Sequence, residues 1–170
     1  MTSSEHSLRE LCALALLSAL MLASQVAMAA LPNIHLVATL ITVTTLAFGW
    51  SAMLPVAVFV LLEGVIYGFG IWWVSYLYAW PLLVIAVMLL RKNEAPIIWA
   101  VVAGVHGLCF GALCAVPYLF IGGPEMAVSY WVAGIPFDLM HCAGNFVLTL
   151  LLVKPLTRIT RSFIGKENPG

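Results

Sequence analysis

Charge is scarce in this chain, and that scarcity limits what it can fold into more than any motif does. Only 8 % of its 170 residues are Asp, Glu, Lys or Arg, and 64 % are apolar. A water-facing domain surface takes about a quarter charged residues, so this chain has to be clothed by lipid. A spanning helix needs roughly 20 apolar residues, and six of them use most of the length. No room remains for a soluble catalytic or nucleotide-binding domain. There is no glycine-rich phosphate loop with its lysine, so any ATP work belongs to another chain. The net charge is zero, which gives nucleic acid no electrostatic footing.

Breaks in the apolar runs divide the chain into six expected spans, at about 8–30, 34–48, 52–68, 76–90, 95–116 and 136–154. Leu31-Pro32-Asn33 ends the first, and Gly49-Trp50-Ser51 is a tight turn after the second. Gly68-Phe69-Gly70, followed by Trp72 and Trp73, reads as an interfacial turn, because tryptophan favours the headgroup level. Arg91-Lys92-Asn93-Glu94 is a polar connector. Residues 117–135, around Gly122-Gly123-Pro124-Glu125, read as a long aromatic connector. The expectation is a single all-α domain over residues 1–170, an integral membrane bundle of six transmembrane helices.

The basic residues test that count. They fall in three places: Arg9, the Arg91-Lys92 pair, and Lys154, Arg158, Arg161 and Lys166. With six spans, all three places lie on one face. The positive-inside rule makes that face cytoplasmic, with both termini there and a multi-pass location in the plasma membrane. A rival reading of the start is a signal peptide, with Arg9, an apolar run and the small residues Ala27-Met28-Ala29-Ala30 as cleavage site. Against it, Ala15, Ala19, Ala23 and Ala27 recur every fourth residue. That spacing makes a smooth ridge on one helix face, suited to close approach by another helix of this chain or of a partner. The cysteines (Cys12, Cys109, Cys114 and Cys142) form no Cys-x-x-Cys pair and read as small buried thiols.

Ionisable residues at membrane depth are costly and normally face a cavity or a partner. Four qualify: Glu63, His106, Asp138 and His141. Asp138, His141 and Asn145 are three and four residues apart and share one helix face. With Pro136 as the first helical residue, this stripe starts at the outer mouth and descends. Asp138 there suits either ligand contact or simple capping of the helix dipole. Glu63 suits a ligand or a buried pair with a histidine. Gly104, Gly107 and Gly111 flank His106 and predict tight helix packing around it. Only the Asp138/His141 pair is local, so no metal site is expected. No serine or cysteine has a base beside it, so no catalytic residue is assigned. Aromatics crowd the outer connectors, and Trp72, Trp73 and Trp131 are candidates to pack on a flat organic ligand.

These residues resemble the substrate-binding S component of energy-coupling factor (ECF) vitamin transporters. The likeness lies in the length, the six spans, the alanine ridge, Leu31-Pro32-Asn33, Leu62-Glu63-Gly64, and the segment Gly134-Ile135-Pro136-Phe137-Asp138-Leu139-Met140-His141 followed by Gly144-Asn145-Phe146. The resemblance implies a non-enzymatic subunit that captures a vitamin or related micronutrient at the outer face. It implies a transmembrane coupling subunit and two ATP-binding cassette ATPases as partners, with no cofactor in this chain. Ala15, Ala19 and Ala23 would meet the coupling subunit. Glu63 and Asp138 would orient the ligand, His141 and Asn145 would hydrogen-bond it, and Trp72, Trp73 and Trp131 would pack on it. Two other classes stay open: a proton-coupled secondary transporter that needs no ATPase, and a membrane subunit that transports nothing. The ligand is left open among cobalamin, a queuosine precursor, thiazole or pyrimidine vitamin precursors, and folate.

Overall fold

The structure is a computed structural model that describes residues 8–31 and 33–165. Pro32 and Lys166 lie outside the described residues. The elements are α1 (Leu8–Ala27), α2 (Val37–Phe48), a 3-10 turn (Gly49–Ala52), α3 (Met53–Tyr67), α4 (Ile71–Leu90) and α5 (Pro96–Phe163). The described residues are all helix and connector. Four helical segments are long and apolar enough to cross a membrane: Leu8–Ala27, Val37–Tyr67, Ile71–Leu90 and Pro96–Phe163.

Two of these segments are interrupted. The 3-10 turn divides α2 from α3, with Gly49 at φ 63°. In α5, Gly123 takes φ 79° and ψ −176°, a backbone state that a side chain resists and glycine accepts. Pro124 follows it and cannot continue a helix from the preceding turn. The chain reverses here. The Gly111 amide donates to Asp138 Oδ1 at 2.9 Å, Asn145 Nδ2 donates to the Ala103 carbonyl at 3.2 Å, and the rings of Tyr118 and Tyr130 stack at 4.3 Å. The limbs 96–122 and 124–163 therefore run antiparallel as a helical hairpin. The expected glycine packing is present. A Cβ on Gly107 would come within 2.8 Å of the His141 backbone, and one on Gly104 would come within 3.4 Å of the Cys142 carbonyl.

Helix directions follow from cross-contacts. Ser18 donates to the Pro55 carbonyl at 3.2 Å and Gln25 to Glu63 at 2.8 Å, so α1 and α3 run parallel. Thr39 bonds Thr149 at 2.9 Å, and Arg161 donates to the Leu46 carbonyl at 3.0 Å. The second limb of α5 is therefore parallel to α2. α2 is the central element: it touches α1, α4 and α5, and most of its residues are buried. Its threonine hydroxyls solve their burial locally. Thr42, Thr44 and Thr45 donate to the carbonyls of Ala38, Leu40 and Ile41 at 2.6 to 2.8 Å. Such back-bonding satisfies a hydroxyl where no water is at hand. Around α2 the core gathers Met21, Phe59, Trp80, Leu83 and Trp99.

Three sequence expectations change. The turn at Gly68-Phe69-Gly70 is present, but α4 begins at Ile71 rather than near residue 76, so Trp72 and Trp73 are helical. Residues 117–135 are not an extended connector: both limbs of α5 stay helical through Pro117 and Pro136 up to the break at Gly123. An interior proline removes one hydrogen bond, and a long helix can absorb that where its remaining bonds hold. The cysteines also divide. Cys114 is buried and Cys142 half-buried, while Cys12 and Cys109 are exposed on outward faces, where a thiol is no more costly than an alkyl group.

Candidate functional site

A cavity of about 390 Å³ opens where the C-terminal ends of α1 and α3 meet the start of α4. Gln25, Asn33, His35, Glu63, Trp72 and Tyr76 supply its polar and aromatic wall. Glu63 comes from the last turns of α3 and is 1 % exposed. One carboxylate oxygen accepts from Gln25 Nε2 at 2.8 Å, and the other is buried without a protein partner. Gln25 Oε1 is likewise buried and unpartnered. The wall thus offers two acceptors held ready for a ligand's donors. An unsatisfied buried polar atom costs about 1–3 kcal/mol, so such atoms mark sites kept for something other than stability.

The chain between α1 and α2 reaches into this site. Ile34 packs against Gly144, where a Cβ would sit 3.3 Å from its side chain, and His35 lines the cavity beside it. From His35 the aromatic contacts lead inward. Its ring lies 5.0 Å from His141 and 6.0 Å from Trp80. Trp80 lies 5.6 Å from Tyr76, 5.1 Å from Phe110 and 5.5 Å from His106. His35 Nδ1, Trp80 Nε1, His106 Nδ1 and both ring nitrogens of His141 are buried without protein partners. His106 is anchored by its Nε2–H, which donates to the Ala79 carbonyl at 2.9 Å. Behind the cavity wall at His35 and Tyr76 therefore stands a buried column of imidazole and indole rings.

The site residues expected from the sequence separate into three groups. Glu63 and Trp72 line the cavity directly. His141 stands one ring deeper, against His35. The others lie elsewhere. Asp138 is buried against the first limb of α5, accepting from Gly111. It sits well inside α5, so it caps no helix, and its Oδ2 lacks a partner. Asn145 ties the second limb to Ala103. Trp73 donates to the Val60 carbonyl at 2.8 Å and rests edge-on against Phe69. Trp131 is 42 % exposed on the hairpin beyond the bundle. Glu63 is paired with Gln25, not with a histidine.

Sequence reasoning does not find Gln25 or His35, and it gives Tyr76 and Trp80 only as members of the aromatic crowd in the outer connectors. A lone glutamine in the apolar run of α1 was a usable signal for Gln25. Nothing local marked His35, which joins the site only because its connector folds inward. Among the described residues no group of three or more His, Cys, Asp or Glu side chains is disposed to hold a metal ion.

The alanine ridge has a definite placement. α1 buries Ala13, Leu14, Leu17, Ser18 and Met21 against the bundle. Ala15, Ala19, Ala23 and Ala27 are exposed along the other side. Among the described residues the ridge is not buried against another helix.

At the far end of α4, a second cavity of about 370 Å³ lies among the α4–α5 connector, the end of α2 and the end of α5. The twenty residues of α4 separate the two cavities by about 30 Å at 1.5 Å per residue, close to the thickness of a bilayer's hydrocarbon core. No family model, curated protein or solved structure matches this chain.

Proposed function

We propose that this chain is the substrate-capture subunit of an ECF-type importer and binds a vitamin or related micronutrient at the outer face of the plasma membrane. The carrying observation is the cavity under Glu63, His35 and Trp72, with unpartnered buried acceptors in its wall, at the end remote from the basic residues. On this reading the breaks at Gly49–Ala52 and Gly123 serve as turns between six crossings, and Arg9 and Arg161 lie on the side of Arg91 and Lys92. The positive-inside rule makes that side cytoplasmic and leaves the cavity open to the exterior.

The chemistry of the wall describes the ligand. Glu63 and Gln25 accept hydrogen bonds from a cationic or donor-rich part. Trp72 and Tyr76 flank a flat ring, and His35 backed by His141 accepts from or donates to its inner edge. A volume of about 390 Å³ lies at the small end of ligand pockets. It suits a one- or two-ring vitamin or precursor better than a corrin macrocycle. Asp138 and Asn145 hold the second limb of α5 in place behind His141. Energy comes from partners, a transmembrane coupling subunit and two ATP-binding cassette ATPases. The outward ridge of Ala15, Ala19 and Ala23 is the docking face, because small residues let a partner helix approach closely in lipid.

The test begins with native mass spectrometry of protein purified without added ligand, followed by a thermal-shift screen of vitamins and precursors. A stabilising ligand whose effect disappears in Glu63→Gln supports the reading. Uptake in proteoliposomes should need the coupling subunit and ATP, and Ala19→Leu should abolish uptake while leaving ligand binding intact. Uptake driven by a pH gradient without ATPases would instead favour the proton-coupled transporter, with the His35, His141 and His106 column as its relay. Stabilisation by no small molecule would leave the non-transporting subunit.

A further inference from the structure

The cavity at the other end of the molecule has a chemistry that substrate capture does not use. Its rim carries Arg91 and Lys92 from the α4–α5 connector and Lys154, Arg158 and Arg161 from the last turns of α5, with Glu94 the one carboxylate among its lining residues. Its floor is apolar, formed by Leu46, Trp99 and Val153. The first turn of α5 begins in the same cavity. Pro96 lies at the helix start, and Ala95, its N-cap, makes no side-chain capping bond. The Ile98 amide is already bonded to the Ala95 carbonyl at 3.1 Å, so the helix start contributes mainly the positive end of its dipole, which favours an anion.

Two details separate this arrangement from charges merely left on a cytoplasmic rim. Arg161 is held in place, its Nη2 donating to the Leu46 carbonyl at 3.0 Å, so at least one guanidinium is positioned. Thr157, only 9 % exposed, lines the same cavity, and its hydroxyl is buried without a protein partner. A buried hydroxyl normally bonds back to its own helix, as the α2 threonines do here. This one is left for another acceptor. An apolar floor, a basic rim and a free hydroxyl match a phosphate group carried on an apolar body. Basic pockets between helices on the cytoplasmic side bind anionic headgroups in this way.

We propose that this cavity is a phosphate-binding site, in which Arg91, Lys92, Lys154, Arg158 and Arg161 neutralise the phosphate of an anionic phospholipid headgroup and the Thr157 hydroxyl donates to it. The same chemistry would accept a free phosphate or a nucleotide, so the experiment has one arm for each source. The proposal does not rest on the capture reading, and its test uses no vitamin.

The intact protein in detergent is titrated with phosphatidylglycerol, with phosphatidylcholine as the neutral lipid, and separately with inorganic phosphate and ADP. Native mass spectra count the adducts. The expected result is preferential retention of phosphatidylglycerol, weakened roughly tenfold in the Arg91→Gln/Arg158→Gln double variant. Both side chains are exposed, so the variant should keep the parent's melting temperature when no lipid is added. Thr157→Val, which keeps shape and removes the hydroxyl, should weaken retention by a few-fold. Retention of inorganic phosphate or ADP with the same variant sensitivity, and no lipid preference, would overturn the lipid source and keep the phosphate site. Equal retention of both lipids together with no variant-sensitive retention of inorganic phosphate or ADP, or phosphatidylglycerol retention unchanged in the double variant, would overturn the proposal and leave the basic residues as determinants of orientation alone.

Discussion

The two cavities are nearly equal in volume, about 390 and 370 Å³, and opposite in construction. At the Glu63 end the polar groups are few and deeply enclosed. Glu63 and His141 are each 1 % exposed, and each acts inside a shell of aromatic rings. At the Arg91 end the charges are many and stand on the rim around an apolar floor. The difference follows from depth. A charged group within the hydrocarbon layer is costly and persists only where protein encloses it, whereas Lys and Arg near helix ends reach out to the interface. The acceptors are thus enclosed at one end, while at the other the cations stand on the rim, with Arg161 held by the Leu46 carbonyl.

Experiments that separate the ends test this contrast. The largest effect is expected from Glu63→Gln, which keeps the shape and replaces the buried carboxyl. Ligand affinity should fall by about 100-fold in calorimetric titration, the scale on which losing one partner of a buried charged contact acts, while phosphatidylglycerol retention stays unchanged. A fall in both would mean that the ends are coupled. Gly107→Val comes next. Its side chain meets the His141 backbone within 2.8 Å, and overpacking of this kind costs about 1–3 kcal/mol, read as a lower unfolding temperature in detergent. It should also weaken ligand binding, because it displaces the limb that carries His141. The Arg91→Gln/Arg158→Gln double variant should show the reverse of Glu63→Gln, with lipid retention lowered roughly tenfold and ligand affinity intact. The smallest effect is expected from Thr39→Val, which removes the bond to Thr149 between the ends. Interhelical hydrogen bonds in lipid average about 0.6 kcal/mol, so its melting shift should be slight and both binding activities unaffected.

Much of the fold was legible because lipid leaves few options. A long apolar segment has to be helical to satisfy its own backbone, and the glycines at 104, 107 and 111 announced a close helix contact that the structure contains. Element ends were less legible. Gly-Gly-Pro around position 123 was read as the middle of a loop, yet only Gly123 leaves the helical region and the flanking prolines stay inside the helix. Proline propensity from water misleads where surrounding helix holds the chain. Half of the candidate site was legible through the rule that buried ionisable groups are purposeful, which found Glu63 and His141. It missed Gln25 and His35, because a glutamine carries no charge and a histidine beside a helix break looks like part of a connector.

By itself the sequence determined that this protein is helical, with segments long and apolar enough to cross a membrane, and that its basic residues gather in three places. These are properties of composition and period, summed along the chain and independent of how helices meet. Only the tertiary structure decided that Gln25, His35, Glu63 and Trp72 share one wall, that Asp138 ties the helical hairpin and lines neither of the two cavities described, and that the alanine ridge faces outward. Each depends on the rotation of one helix against its neighbours. That rotation is set by packing between residues distant in the chain, such as Ser18 on Pro55 and Gly107 on His141, and no local pattern encodes it.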